Sequence, residues 1–188
     1  MPETAFDTSG NNGEDNLVTM AEALAQEPLT GKPIRIVIPA IDLDAPVADI
    51  GAEAIVQGNQ IFYQWLVPTG YMAGWHNNSA RLGQPGNTVL NGHHNVYGEV
   101  FRDLIDLEEG DEILMYDEDQ EYEYQVTVTE ILPERGQDLA VRLENAQWIA
   151  PTEDERITLV TCWPYTDNSH RLIVVAEPME TRDGLSKK

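Results

Sequence analysis

The chain is predicted to be mainly β, folding as a small closed barrel or a sandwich. Three observations carry this. Short apolar or alternating runs of strand length recur along most of the chain. Few segments show helical spacing. Glycine and proline, 14 and 11 of 188 residues, punctuate the runs. No internal repeat is present. The length suits one domain with a sizeable core, and the 41% apolar content is that of a folded chain.

Residues 1–32 read as a flexible N-terminal segment, with Gly, Asn, Asp and Thr dominating its first half. Within it, residues 16–26 hold Leu17, Met20 and Leu24 at helical spacing, a candidate short helix. From Ile34 the pattern alternates, with Pro39 and Pro46 as breaks. Residues 60–65 are a further strand candidate. Residues 71–81 carry Gly74, Trp75 and His76, and His76 suits a structural place or a pocket wall better than catalysis. Residues 86–92 read as a buried strand ending at His93. Residues 100–107 read as a short helix with Phe101, Leu104, Ile105 and Leu107 inward. Gly110 and Asp111 turn the chain into a strand at 112–116. The acidic cluster around Asp117 is then a hairpin tip before a long half-exposed strand, 121–132. Residues 133–143 and 148–152 read as a mostly irregular connection. Two β-branched runs, 157–161 and 172–176, close the domain, taken as 33–178, and a polar tail fills 179–188.

The chemistry gathers on that last pair of runs. Turn residues between them predict an antiparallel hairpin. Cys162, the one cysteine, ends the first run, and Arg171 begins the second. Both sit at the loop end of the hairpin, so they are neighbours in any register. A thiol beside a guanidinium favours the thiolate. A cysteine nucleophile also needs a base or an imidazolium. Four histidines exist: His76, His93, His94 and His170. Adjacent His93 and His94 follow an apolar strand, and on period-2 geometry only one of them faces the thiol.

TLVTC followed by Arg171, preceded by GNTVLNGH, GEVFRDL and EEGDEI in that order, resembles the sortase family, cysteine transpeptidases of the bacterial cell surface. The resemblance spans about residues 33–178. It implies an eight-stranded closed β-barrel with short helices on its connections. It implies cleavage of a sorting-signal peptide, of a motif the sequence leaves open, through a thioester acyl-enzyme, and transfer of the acyl group to an amine. Cys162 would be the nucleophile, His93 the acid and base through the glycine-histidine pattern, and Arg171 the oxyanion stabiliser. Thr161 would help orient substrate or Arg171. Trp163 and Trp75 are candidates to line the substrate pocket, with plain barrel packing as the other reading. The segment around Trp75 resembles one that precedes a short helix in the family. GHHN and TCWP depart from the best-known anchoring members, so no sortase class follows. The partners implied are sorting signals of secreted surface proteins or pilins, and an amine from cell wall or pilin lysine.

With 33 acidic against 11 basic residues, the formal charge is -22. That disfavours nucleic acid and anionic membrane surfaces as partners. No cofactor is expected. Some sortases are calcium-stimulated, but no compact ligand run of the EF-hand type occurs. No zinc spacing joins the histidines to Cys162. A single cysteine excludes an intramolecular disulfide. No apolar run approaches the roughly 20 residues that span a bilayer, and the polar start shows no secretory signal. Sortases usually carry an N-terminal anchor, so the expectation is a soluble, truncated form of an enzyme of the extracellular membrane face. A plain cysteine hydrolase and a non-catalytic barrel are the competing readings.

Overall fold

A computed structural model describes residues 31–57 and 60–179. The candidate helix at 16–26 and the tail at 180–188 lie outside the described residues. Eight strands close into a barrel in the order β1-β2-β5-β6-β9-β10-β8-β7. Their spans are β1 Arg35–Ile38, β2 Leu43–Ile50, β5 Ala73–His76, β6 Asn87–Asn91, β7 Glu112–Tyr116, β8 Glu121–Pro133, β9 Arg156–Trp163 and β10 His170–Pro178. β3 Ala52–Gln57 and β4 Gln60–Trp65 form a separate hairpin inserted between β2 and β5. β2–β5 and β6–β9 are parallel pairs, and the other barrel pairs are antiparallel.

Period-2 alternation explains the wall. Ile36, Ile38, Ile157, Leu159, Leu172, Val174 and Ala176 are fully buried in one core with Leu90, Phe101 and Met115. Each large aliphatic side chain buried in this way contributes about 1.5–3 kcal/mol. The opposite face of β9 and β10 is covered as well. Thr158 donates to Asn87 Oδ1 at 2.8 Å, and Asn87 Nδ2 donates to the carbonyls of Trp148 and Ala150. The connection from β8 to β9 is thereby held across the outer wall.

That connection differs from the irregular one expected. An α-helix, α1, spans Leu139–Asn145, and a 3-10 turn follows at Ala146–Ile149. Asp138 caps α1 by accepting from Val141 N at 3.0 Å. The helix has no buried residue, so it lacks the apolar stripe that makes a helix legible. At 100–107 the reverse holds. Phe101, Leu104 and Leu107 are buried as expected, but the backbone makes successive turns and only Leu104–Asp106 is 3-10 helix. Spacing of three serves a 3-10 turn as well as an α-helix. Residues 77–80 are a turn, Ser79 N donating to His76 O at 2.8 Å, in place of the short helix implied there. β3 was not anticipated, and β5 lay inside a segment read only for its side chains.

Asp117 organises the β7–β8 tip. Its carboxylate accepts from Gly31 N, from Asp119 N and Gln120 N at 2.8 Å each, and from Tyr122 OH at 2.9 Å. Burial pushes its pKa up, but these hydrogen bonds outweigh burial and hold it below the ordinary 3.8. Its stabilisation is therefore present above that ordinary value and lost as pH falls through the lower, folded one. Asp117→Asn should cost about 1–3 kcal/mol at neutral pH. The gap to the parent protein should narrow on acidification below pH 3.8, as followed by denaturant melts. A gap that stays constant with pH would show that the charge of Asp117 is not what matters.

Gly92 is constrained from the other side. A Cβ there would lie 2.6 Å from Phe101 Cδ2 and 2.7 Å from Val100 Cγ1, both in buried side chains. Gly92→Ala should lower stability by about 1–3 kcal/mol through overpacking, read as a fall in Tm of several degrees. An unchanged Tm would mean that the loop yields freely.

Candidate active site

β9 and β10 pair with Cys162 opposite Arg171. Alternation puts both on the outer face of the barrel wall, since their neighbours Thr161 and Leu172 point inward. The Arg171 guanidinium donates to Cys162 Sγ at 3.6 Å and to His170 O at 3.3 Å. Both side chains are half-buried, so the thiol stays open to a ligand.

His93 reaches the same end of the barrel through β6. Parallel pairing sets Asn91 opposite Val160. Gly92 N then donates to Val160 O at 3.2 Å, and Thr161 Oγ1 donates to Gly92 O at 2.8 Å. The backbone immediately before His93 is thus fastened to the two residues immediately before Cys162. Phe101 N donates to His93 O at 3.0 Å and closes the loop from behind. The His93 ring is half-buried, tilted against Tyr97 with centroids 5.0 Å apart. Partial burial lowers its pKa from 6.5, which favours neutral imidazole.

His94 is only 2% exposed, so the two adjacent histidines are separated by burial. Its ring lies edge-on to Trp163 and Tyr165, at 5.3 and 5.5 Å. Trp163 is half-buried against the core. Trp75 is 3% exposed, with its N–H on Ala80 O at 3.2 Å. Both tryptophans therefore occupy packing positions, and neither lines the cavity beside Cys162. Thr161 is buried and its hydroxyl is spent on Gly92. His76 is buried and stacked on Trp65 at 3.9 Å, and burial pushes its pKa down to about 4.

A cavity of about 360 Å³ opens beside Cys162 and Arg171. Its other walls come from residues 134–137, from Arg142 on α1 and from Asn168. Sequence reasoning did not single these out. The scarcity of basic residues is the signal that could have found Arg135 and Arg142. A second recess of about 220 Å³, between Ile41, Tyr71 and Glu99, includes neither a thiol nor an imidazole. Two loops meet above the site. Asn95 Nδ2 donates to Tyr165 O at 2.5 Å, and Tyr165 OH donates to Glu99 Oε1 at 2.8 Å. Among the described residues no group of three or more His, Cys, Asp or Glu is gathered to hold a metal ion. No helix among them is long and apolar enough to cross a membrane.

Known proteins share this barrel. The family model described as a sortase domain matches residues 36–179. Sortase A of Bacillus anthracis is 29% identical over 190 residues, covering 96% of this chain and 74% of that protein. The crystal structure of Listeria monocytogenes sortase A superposes with a TM-score of 0.57 at 25% identity, covering 78% of this chain and 86% of that one. A lid mutant of Corynebacterium diphtheriae sortase A gives 0.60 at 23% identity, covering 95% and 86%, a likeness of fold alone. With the sortase domain matched over most of this chain and the barrel built as in those structures, the chain belongs to the sortase family, the sortase-type transpeptidases.

Proposed function

We propose that this sortase cleaves a sorting-signal peptide through a thioester on Cys162 and passes the acyl group to an amine. The observation that carries the assignment is the guanidinium of Arg171 at 3.6 Å from Cys162 Sγ. His93 takes the proton of the Cys162 thiol, the resulting thiolate attacks the scissile carbonyl carbon, and the carbonyl electron pair moves to oxygen. Arg171 then donates to that oxyanion, an interaction typically worth roughly 3 kcal/mol. Collapse of the adduct breaks the C–N bond, and His93 gives its proton to the departing amine. The acyl group is left as a thioester. The incoming amine attacks it, His93 takes the amine's proton, and the thiolate is released with a new amide formed. Water in place of the amine gives the free acid, the hydrolase outcome.

The partners on this reading are sorting signals of secreted surface proteins or pilins. The acceptor amine comes from the cell wall or a pilin lysine, and the site of action is the extracellular face of the cell membrane.

Intact mass after incubation with leucine-proline-x-threonine peptides should show an acyl adduct on Cys162 that disappears into a ligated product when a glycine or lysine amine is added. Cys162→Ala should form neither adduct nor product while keeping its stability within about 1–2 kcal/mol. Turnover by that variant would end the nucleophile assignment, and adduct released only as free acid would favour hydrolysis. Arg171→Lys should lose on the order of 100-fold in kcat/KM, because an ammonium does not reproduce a planar fork. A near-normal rate would leave Arg171 a structural residue.

A further inference from the structure

The cavity beside Cys162 is positively charged in a strongly negative protein. Of 11 basic residues in a chain of charge -22, three arginines line this one cavity. Arg135, Arg142 and Arg171 face it, against the single carboxylate of Glu134. Arg171 is occupied by Cys162 Sγ and His170 O. Arg142 holds Glu134 at 3.3 Å. Arg135 is different. Lys32, Arg35, Arg102 and Arg142 each have a carboxylate within 4.0 Å, whereas among the described residues Arg135 has none, although Asp167 senses its charge.

The placement of Arg135 is nevertheless built. The backbone N–H groups of Glu134 and Arg135 both donate to Ser169 O, at 3.0 and 2.9 Å. This fastens the Arg135 loop beside the start of β10, two residues from Arg171. Gly136, with φ of 75, then turns the chain away. An exposed guanidinium is thus held at the mouth of the cavity with its planar fork unpaired. In a protein with three times as many acids as bases, such a cation does little for solubility.

We propose that the preferred peptide carries an acidic side chain close to its scissile bond, and that Arg135, supported by Arg142, determines this preference. The proposal rests on reading the cavity around Cys162 as the peptide site. A carboxylate matches the guanidinium fork in a bidentate pair. Charges beyond about 8–10 Å are screened at physiological salt, so the acidic remainder of the surface repels such a peptide only weakly at the cleft. That same surface offers an anionic side chain few other landing places, which focuses it on the cationic mouth.

The test compares kcat/KM for leucine-proline-x-threonine peptides that differ in one residue. Glu, Gln and Lys are placed in turn at x and at the two positions following the threonine. In at least one position Glu should exceed Gln by about three- to tenfold, the range expected of one or two partly exposed ion pairs, and Lys should fall below Gln. The Glu-to-Gln ratio should approach one at roughly 0.5 M salt and in Arg135→Gln. In Arg135→Glu the order should invert in favour of Lys. Equal rates for Glu and Gln at every position would overturn the proposal, as would a Glu preference that persists in Arg135→Gln. Acylation of Cys162 in those same runs would leave the proposed function standing. Absence of any acyl adduct would remove both.

Discussion

In the parallel pair β6–β9, Asn91 lies opposite Val160, so β6 opens onto His93 at the level where β9 approaches Cys162. The remaining site geometry hangs from this register. Gly92 is bonded to β9 through both its N–H and its C=O, and antiparallel pairing of β10 adds Arg171 beside the thiol. Each such hydrogen bond contributes only about 0.5–1.5 kcal/mol net. The precision of the site therefore comes from the barrel beneath it, where Ile157, Leu159, Leu172 and Val174 are fully buried. Overlapping aliphatic packing holds the strands, and the strands hold the reacting groups.

The approach of Cys162 to Arg171 was legible because the two lie at the loop end of one hairpin, where they are neighbours in any register. The barrel was legible from punctuation and strand length, though its closure and strand number came only through family resemblance. The β6–β9 pairing was not legible, because it joins segments about 70 residues apart and nothing local encodes a partner. The helix α1 was missed because it buries nothing: Leu139 and Leu143 are 63% and 57% exposed, so its apolar residues mark no core face. Trp75 and Trp163 show the limit of composition. A tryptophan near a motif suits a pocket wall and a packed interior equally, and only the third dimension separates the two.

The adjacent histidines show how burial assigns roles that spelling leaves open. His94 turns inward between aromatic edges, and its neighbour stays at the half-exposed rim. One residue step reverses the face, so a single backbone path delivers a packing residue and a proton carrier. The same alternation along β9 sends Thr161 inward to steady the His93 loop and Cys162 outward to the cavity.

Because Cys162 and Arg171 are register partners on adjoining strands, the six residues 164–169 that link those strands are not needed to align them. That link instead reaches outward, touching Asn95 and Glu99 through Tyr165 and steadying Arg135 through Ser169. The architecture is modular in consequence. A lineage could lengthen, shorten or rewrite this loop and retarget the enzyme, while the thiol and its guanidinium kept their separation.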